Sequence, residues 1–216
     1  MAIAKGQSYI KYERDLVRQG FDEQIDILKN DLFQQERQLK SQLYNIQSDS
    51  AIDNEEKFSI EKPLLAELQN IQERHIRIRR TIMIGLYAFW ELSLKAIFLF
   101  KDEINGKQIG AVKDKTKSIA WNYLNAIYEG NIPLTALDID SSVRVLRNHL
   151  VHGKLSKNQL EHLSSFSVNH PDLHLSISIE GCYFSNYDGL LNLLDTISLE
   201  LNNAELAVCN VTDGSK

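Results

Sequence analysis

The chain has 216 residues, 43% of them hydrophobic and 25% charged, with a formal net charge of −5. That composition is ordinary for a globular domain with a real core and excludes a low-complexity or disordered chain. Ten glycines and three prolines are too few for an all-β architecture with many tight turns.

The charge is unevenly distributed. Between Arg74 and Lys117 there are ten Lys/Arg against four Asp/Glu, and between Ser141 and Leu160 four basic residues and no acid. From Glu161 onward there are eight acids and one base. Basic segments inside an acidic chain can hold an anion locally. They are equally compatible with scattered solvated charge. The two cysteines, Cys182 and Cys209, lack the spacing of a metal site or disulfide framework, which leads to the expectation of a reduced, cytoplasmic setting. The N-terminal residues lack the apolar stretch of a signal peptide.

From Tyr9 to Ser48, Phe21, Ile25, Leu28, Leu32, Leu39, Leu43 and Ile46 recur at three- and four-residue steps. That pattern predicts a long amphipathic helix. Asp49–Ser59 is polar and acidic and reads as a loop. Pro63 is expected in the first turn of a second helix, Glu61 to about Lys101, where its missing N–H is harmless. Its first half carries Arg74, Arg77, Arg79 and Arg80, a face able to follow a phosphate backbone. Its second half, Thr81–Phe100, is apolar enough to raise a membrane span. Glu91 and Lys95 near its centre make that costly, so a central helix of a bundle, with no membrane, is the expectation. Glu91 either pairs with Lys95 at helical spacing or points into a cleft.

Asn105-Gly106 marks a turn, and a third helix is expected over Lys113–Tyr128. Ile132-Pro133 reads as a loop. Asp138 or Asp140 then caps a fourth helix, Ile139 to about Val151, ended by Gly153. A short helical turn at Lys157–Ser164 follows. Ser165–Tyr187 alternates and predicts a β-hairpin turning at Glu180-Gly181. Asp188 caps a last helix, Gly189 to about Val208. The expected fold is thus all-α: an antiparallel bundle with long N-terminal helices and a small hairpin before the last helix. The segments are 1–60 (helix and acidic loop), 61–210 (bundle, with the hairpin at about 165–187) and 211–216 (tail), forming one structural unit. Internal repeats, a glycine-rich phosphate loop and a GxSxG elbow are all missing from the sequence.

The densest group of catalytically able side chains lies at the end of the fourth helix: Arg144, Arg147, Asn148, His149 and His152. His moves protons near neutral pH, and Arg offers a planar fork of donors to phosphate oxygens. Asn can orient an imidazole or bind a hydroxyl. Such a set suits metal-independent cleavage of RNA, in which the ribose 2′-OH attacks its own phosphate. The Arg-x4-His spacing occurs twice, as Arg144…His149 and Arg147…His152. The second register has the Asn directly after Arg and the helix-terminal His, and is preferred. His149, His152, His162, His170 and His174 lack the spacing of a metal site, and no cofactor is expected.

Arg147-Asn148-His149-Leu150-Val151-His152 resembles the Arg-x4–6-His signature, often written RNxxxH, of the HEPN superfamily. The likeness spans about Glu61–Val208. It implies an all-α bundle with long antiparallel helices and a metal-independent endoribonuclease of the toxin–antitoxin, abortive-infection or CRISPR-associated kind. It also implies a homodimer in which two motifs form one composite cleft, with an antitoxin or defence-system protein as a further partner. Arg147 and His152 would be catalytic, Asn148 supporting, and the neighbouring Arg144 and Lys154 would bind RNA. Some related toxins carry Tyr two residues after the His. Lys154 stands there, so a tyrosine-dependent variant is not implied. Two other readings stay open: a noncatalytic RNA- or nucleotide-binding module, and a helical interaction protein acting through its N-terminal helix.

Overall fold

The computed structural model describes residues 2–105, 114, 116–153, 155–178 and 181–213. Among them are six α-helices and one two-stranded hairpin: α1 (Ala2–Ser48), α2 (Asn54–Asn105), α3 (Ile119–Ile127), α4 (Leu134–His152), α5 (Lys157–Asn169), β1 (Leu175–Ser178), β2 (Gly181–Phe184) and α6 (Asp188–Asp213). A single 3-10 turn, Pro171–Leu173, leads into β1. The all-α class with a hairpin before the last helix is as the sequence predicts.

The two long helices exceed their expected bounds. α1 has 47 residues and α2 has 52, about 70 and 80 Å at 1.5 Å per residue. The acidic loop shrinks to a tight reversal: Asp49 accepts from the Ala51 N–H, and Asp53 from the Glu56 N–H at the first turn of α2. Pro63 therefore lies inside α2, where it removes one i→i−4 hydrogen bond.

α2 is the hub, packed by α1, α3, α4, α6 and β2. Its residues Met83, Leu86, Trp90, Leu94 and Ile97 are fully buried. They meet Ile25 of α1, Leu124 of α3, Val143 and Leu146 of α4, and Leu190, Leu194, Ile197 and Leu201 of α6 in one core. α2 is long and apolar enough to cross a membrane, but half of that apolar window is buried inside the chain's own fold. A second, smaller cluster, Leu32, Leu39 and Ile71 with Leu64 and Leu68, joins α1 and α2 beyond the bundle. Residues Lys29 and Arg18 tie α1 to Asp188 and Asp195 of α6.

The shorter elements shift more. α3 starts at Ile119, capped by Ser118, whose hydroxyl accepts from the Trp121 N–H at 2.9 Å. Lys113, and Gly106 of the expected Asn105-Gly106 turn, lie outside the described residues. α4 begins at Leu134, directly after Pro133, so Asp138 and Asp140 are inside the helix and cap nothing. α5 runs to Asn169, held at its start by a capping box of Ser156 and Gln159. Its apolar residues Leu163 and Phe166 are buried, which turns the expected start of the strand at Ser165 into helix. The hairpin pairs Leu175 with Phe184 and Ile177 with Cys182. Its turn at residues 179–180 lies outside the described residues. Gly189 admits no side chain: a Cβ there would stand 1.9 Å from the Leu173 carbonyl oxygen.

Candidate functional site

α4 ends where the sequence predicts. Gly153 adopts φ 75°, and its N–H bonds the His149 carbonyl at 2.7 Å. Glycine takes this left-handed geometry without the Cβ clash that other residues suffer. His152 is the last helical residue and is exposed. Arg147 and Asn148 are half-buried. The Arg147 Nη1 donates to Asn148 Oδ1 at 2.9 Å, so the two motif residues form one unit. On an ideal helix Arg147 and His152 leave the axis about 140° apart.

α2 forms the other wall. The Arg147 Cζ lies 5.8 Å from the centre of the Tyr87 ring, and Tyr87 Oη donates to Glu91 Oε1 at 3.2 Å. Glu91 thus bonds to the residue one turn before it rather than to Lys95. Burial, and then the Glu91 carboxylate, push the Tyr87 phenol up to about 12. Asp140 lies on α4 two turns before Arg147. Its carboxylate accepts from Trp90 Nε1 at 3.3 Å and from Ser118 Oγ at 2.9 Å. Burial raises its pKa, against the pull of Ser118, Trp90 and Arg144. Arg144 itself is exposed, and Lys154 lies outside the described residues.

The alternative register separates. His149 is buried, and its Nε2 accepts from the Cys182 N–H of β2 at 3.0 Å. Burial, and then Arg80, lower its pKa. Arg144 and His149 therefore face different surroundings, one solvent and the other the hairpin. The remaining histidines disperse. His162 Nε2 lies 2.9 Å from Ser142 Oγ, and His170 lies 3.7 Å from Asp138. Among the described residues no group of three or more His, Cys, Asp or Glu is arranged to hold a metal ion.

No family model, curated protein or solved structure matches this chain.

The basic face of α2 divides. Arg74, Arg77 and Arg80 are exposed. Arg79 turns inward, with Nη1 on the Ser185 carbonyl at 3.3 Å and its Cζ 5.6 Å from the Tyr187 ring centre. Burial lowers its pKa. Beside it His75 is buried against Tyr187, Nδ1 to Oη 3.1 Å. Arg79 and His75 thus fasten α2 to Ser185 and Tyr187, in the segment that leads from β2 into α6. Exposed Arg80 also borders a crevice shared with Leu150 of α4 and Tyr183 of β2.

Sequence reasoning missed Tyr87, which it treated as part of an apolar run, and Asp140 as a buried acceptor. For Tyr87 a signal existed. It lies four residues before Glu91, the spacing at which two side chains meet on a helix.

Proposed function

We propose that the chain is a metal-independent endoribonuclease of the prokaryotic toxin–antitoxin or defence type, as its likeness to the HEPN superfamily implies. The observation that carries this reading is the end of α4: Arg147 bonded to Asn148, with an exposed His152 closing the helix at Gly153. In this reading the substrate 2′-oxygen attacks the adjacent phosphorus, and the P–O5′ bond breaks. The products are a cyclic phosphate and a free 5′-hydroxyl. Arg147 bears on the phosphate oxygens, where charge-assisted donors are most effective. Arg144 and Lys154 contact the flanking backbone. The proton of the 2′-OH passes to one imidazole, and the leaving O5′ takes a proton from an acid.

Each chain offers one His152, and acid and base act on opposite sides of the phosphorus. A homodimer with two copies of the motif in one cleft supplies both. Support comes from the apolar surface beside the motif: Val151 of α4, the residue before His152, is 47% exposed. An antitoxin or other defence-system protein would act by covering this cleft.

The test is purified protein with RNA in EDTA, followed by mapping of the ends. Cyclic-phosphate and 5′-hydroxyl ends are expected, with Arg147→Ala and His152→Ala each lowering the rate about 100-fold or more. Cleavage that needs added metal, or that survives both substitutions, overturns the reading.

A second reading, noncatalytic RNA or nucleotide binding, is favoured by the exposed Arg74, Arg77 and Arg80 and by the crevice between Arg80, Leu150 and Tyr183. Tight binding that weakens steeply with salt, without cleavage, would select it.

A further inference from the structure

A free arginine on a helix surface samples many rotamers, and ordering it costs side-chain entropy. Proteins often order such a side chain by pairing it with a carboxylate, but that neutralises the charge an anionic ligand needs. Arg147 is held differently. Among the described residues no carboxylate forms an ion pair with it, although two lie close to the ring it rests against. Both are otherwise engaged. Glu91 accepts a hydrogen bond from the Tyr87 hydroxyl, and Asp140 is occupied by Trp90 and Ser118. What touches the guanidinium is the Tyr87 ring on one side, 5.8 Å from Cζ to ring centre, and the Asn148 amide oxygen on Nη1.

That separation lies within the range of a cation–π contact. A guanidinium has five N–H donors, and Asn148 takes one. Four remain for phosphate oxygens. Because its pKa is pushed up to about 12, the phenol keeps its proton across the neutral range, and the ring stays an uncharged π face.

We propose that Tyr87 is a positioning residue for Arg147: its ring orders the guanidinium for an incoming phosphate without neutralising its charge. The role in RNA cleavage rests on the nuclease reading above. The ordering of Arg147 does not, since it is a property of the folded chain.

The experiment has two readouts on the full-length protein. The first is side-chain 15N relaxation of the Arg147 Nε–H group, identified by its loss in R147K. The second is single-turnover cleavage of RNA in EDTA. Four variants are compared: Y87F, which keeps the ring, Y87L and Y87M, which remove it while staying apolar, and E91Q. In the wild type and Y87F the Arg147 signal is ordered, and cleavage agrees within about threefold. In Y87L and Y87M the signal becomes mobile and the cleavage rate falls about 10- to 100-fold, the scale of a displaced catalytic group. RNA affinity changes less than the rate. E91Q, whose amide oxygen still accepts from the Tyr87 hydroxyl, groups with the wild type and Y87F. The thermal midpoint of each variant reports whether it is folded.

An Arg147 signal as ordered in both Y87L and Y87M as in the wild type overturns the proposal. So does wild-type cleavage by those variants where R147A is inactive, a result that leaves the nuclease reading standing. If Arg147 is mobilised but the wild type cuts no RNA, the nuclease reading falls. Tyr87 then remains the residue that orders an anion-binding arginine.

Discussion

His149 sits one turn before Gly153, on the face of α4 that meets the hairpin, and its environment decides its charge. Because Nε2 accepts the Cys182 N–H, the ring is neutral with its proton on Nδ1. Burial, and then Arg80, lower its pKa. His75 is shifted the same way, by burial and then Arg79, with Glu36 opposing. The sign follows from linkage. Below about 6.5 the unfolded chain binds protons at these histidines that the native chain does not yet accept. Their contribution is therefore fully present above 6.5 and is lost as pH falls through the lowered native values. The urea midpoint should decline between pH 7.5 and 5.5, and H149Q, which retains a carbonyl acceptor for the Cys182 N–H, should flatten part of that decline. A midpoint that stays constant over this interval, or rises, would contradict the assignment of both imidazoles as neutral. Asp140 acts in the opposite sense at lower pH. Its raised pKa means that folding holds its proton above 3.8, and stability falls as pH rises through that window.

α3, at nine residues, is too short to persist alone, and it is fixed at both ends by groups from other elements. Ser118 caps its start and donates to Asp140 of α4. At its end Lys101 of α2 is 2% exposed and uses all three ammonium donors: the Ala126 and Ile127 carbonyls at 2.9 Å each and Glu129 Oε1 at 2.8 Å. K101M leaves two carbonyls without their charged donor and should cost about 2–3 kcal/mol. The check is a lower urea midpoint at unchanged m-value. Such long-range caps explain what the sequence could not reveal. The apolar stripe of α6, the Gly153 stop and the existence of a hairpin are local patterns and were legible. The start of α4 was not, because Asp138 and Asp140 look like caps until Asp140 is seen to face Trp90, fifty residues away in the chain. α5 was misread for a related reason. Phe166 and Val168 fit an alternating pattern, and only the burial of Leu163 and Phe166 together selects the helical period. At the candidate site, Arg147, Asn148 and His152 were legible as a motif. Tyr87, sixty residues earlier, was signalled in the sequence only as a partner of Glu91, and its place against Arg147 emerged from the packing of α2 on α4.

The molecule as a whole divides its stability unevenly. The body is held by one continuous core in which Trp90, Leu94, Leu124, Leu146, Leu194 and Leu201 are buried. Outward from Glu36 and His75, α1 and α2 have mainly each other: Leu39 and Ile71 are buried, with Leu64 and Leu68 partly so. The 13 residues from Glu36 to Ser48 carry this arm about 20 Å along the helix axis. Pro63 removes one helical hydrogen bond in it. Phe58, Leu65 and Tyr44 are exposed along it, so much of its apolar surface stays in water. Few buried contacts and many solvent-facing backbone bonds are the conditions for opening without global unfolding. Truncating Leu39 removes one of its few buried side chains, and such a loss in a core costs about 2–5 kcal/mol, comparable to all that a cluster of this size can supply. L39A should therefore reduce the far-ultraviolet helical signal at 25 °C while the fluorescence of buried Trp90 and its denaturation midpoint stay those of the wild type. In hydrogen exchange, wild-type amides in residues 38–70 should exchange well before those of Met83–Phe98. Uniform protection along α2, or loss of the Trp90 signal together with the arm in L39A, would mean that arm and body unfold as one cooperative unit. On the nuclease reading, and if the arm does open independently, RNA cleavage by L39A should match the wild type, because Arg147, His152 and Tyr87 all stand on the body side of His75.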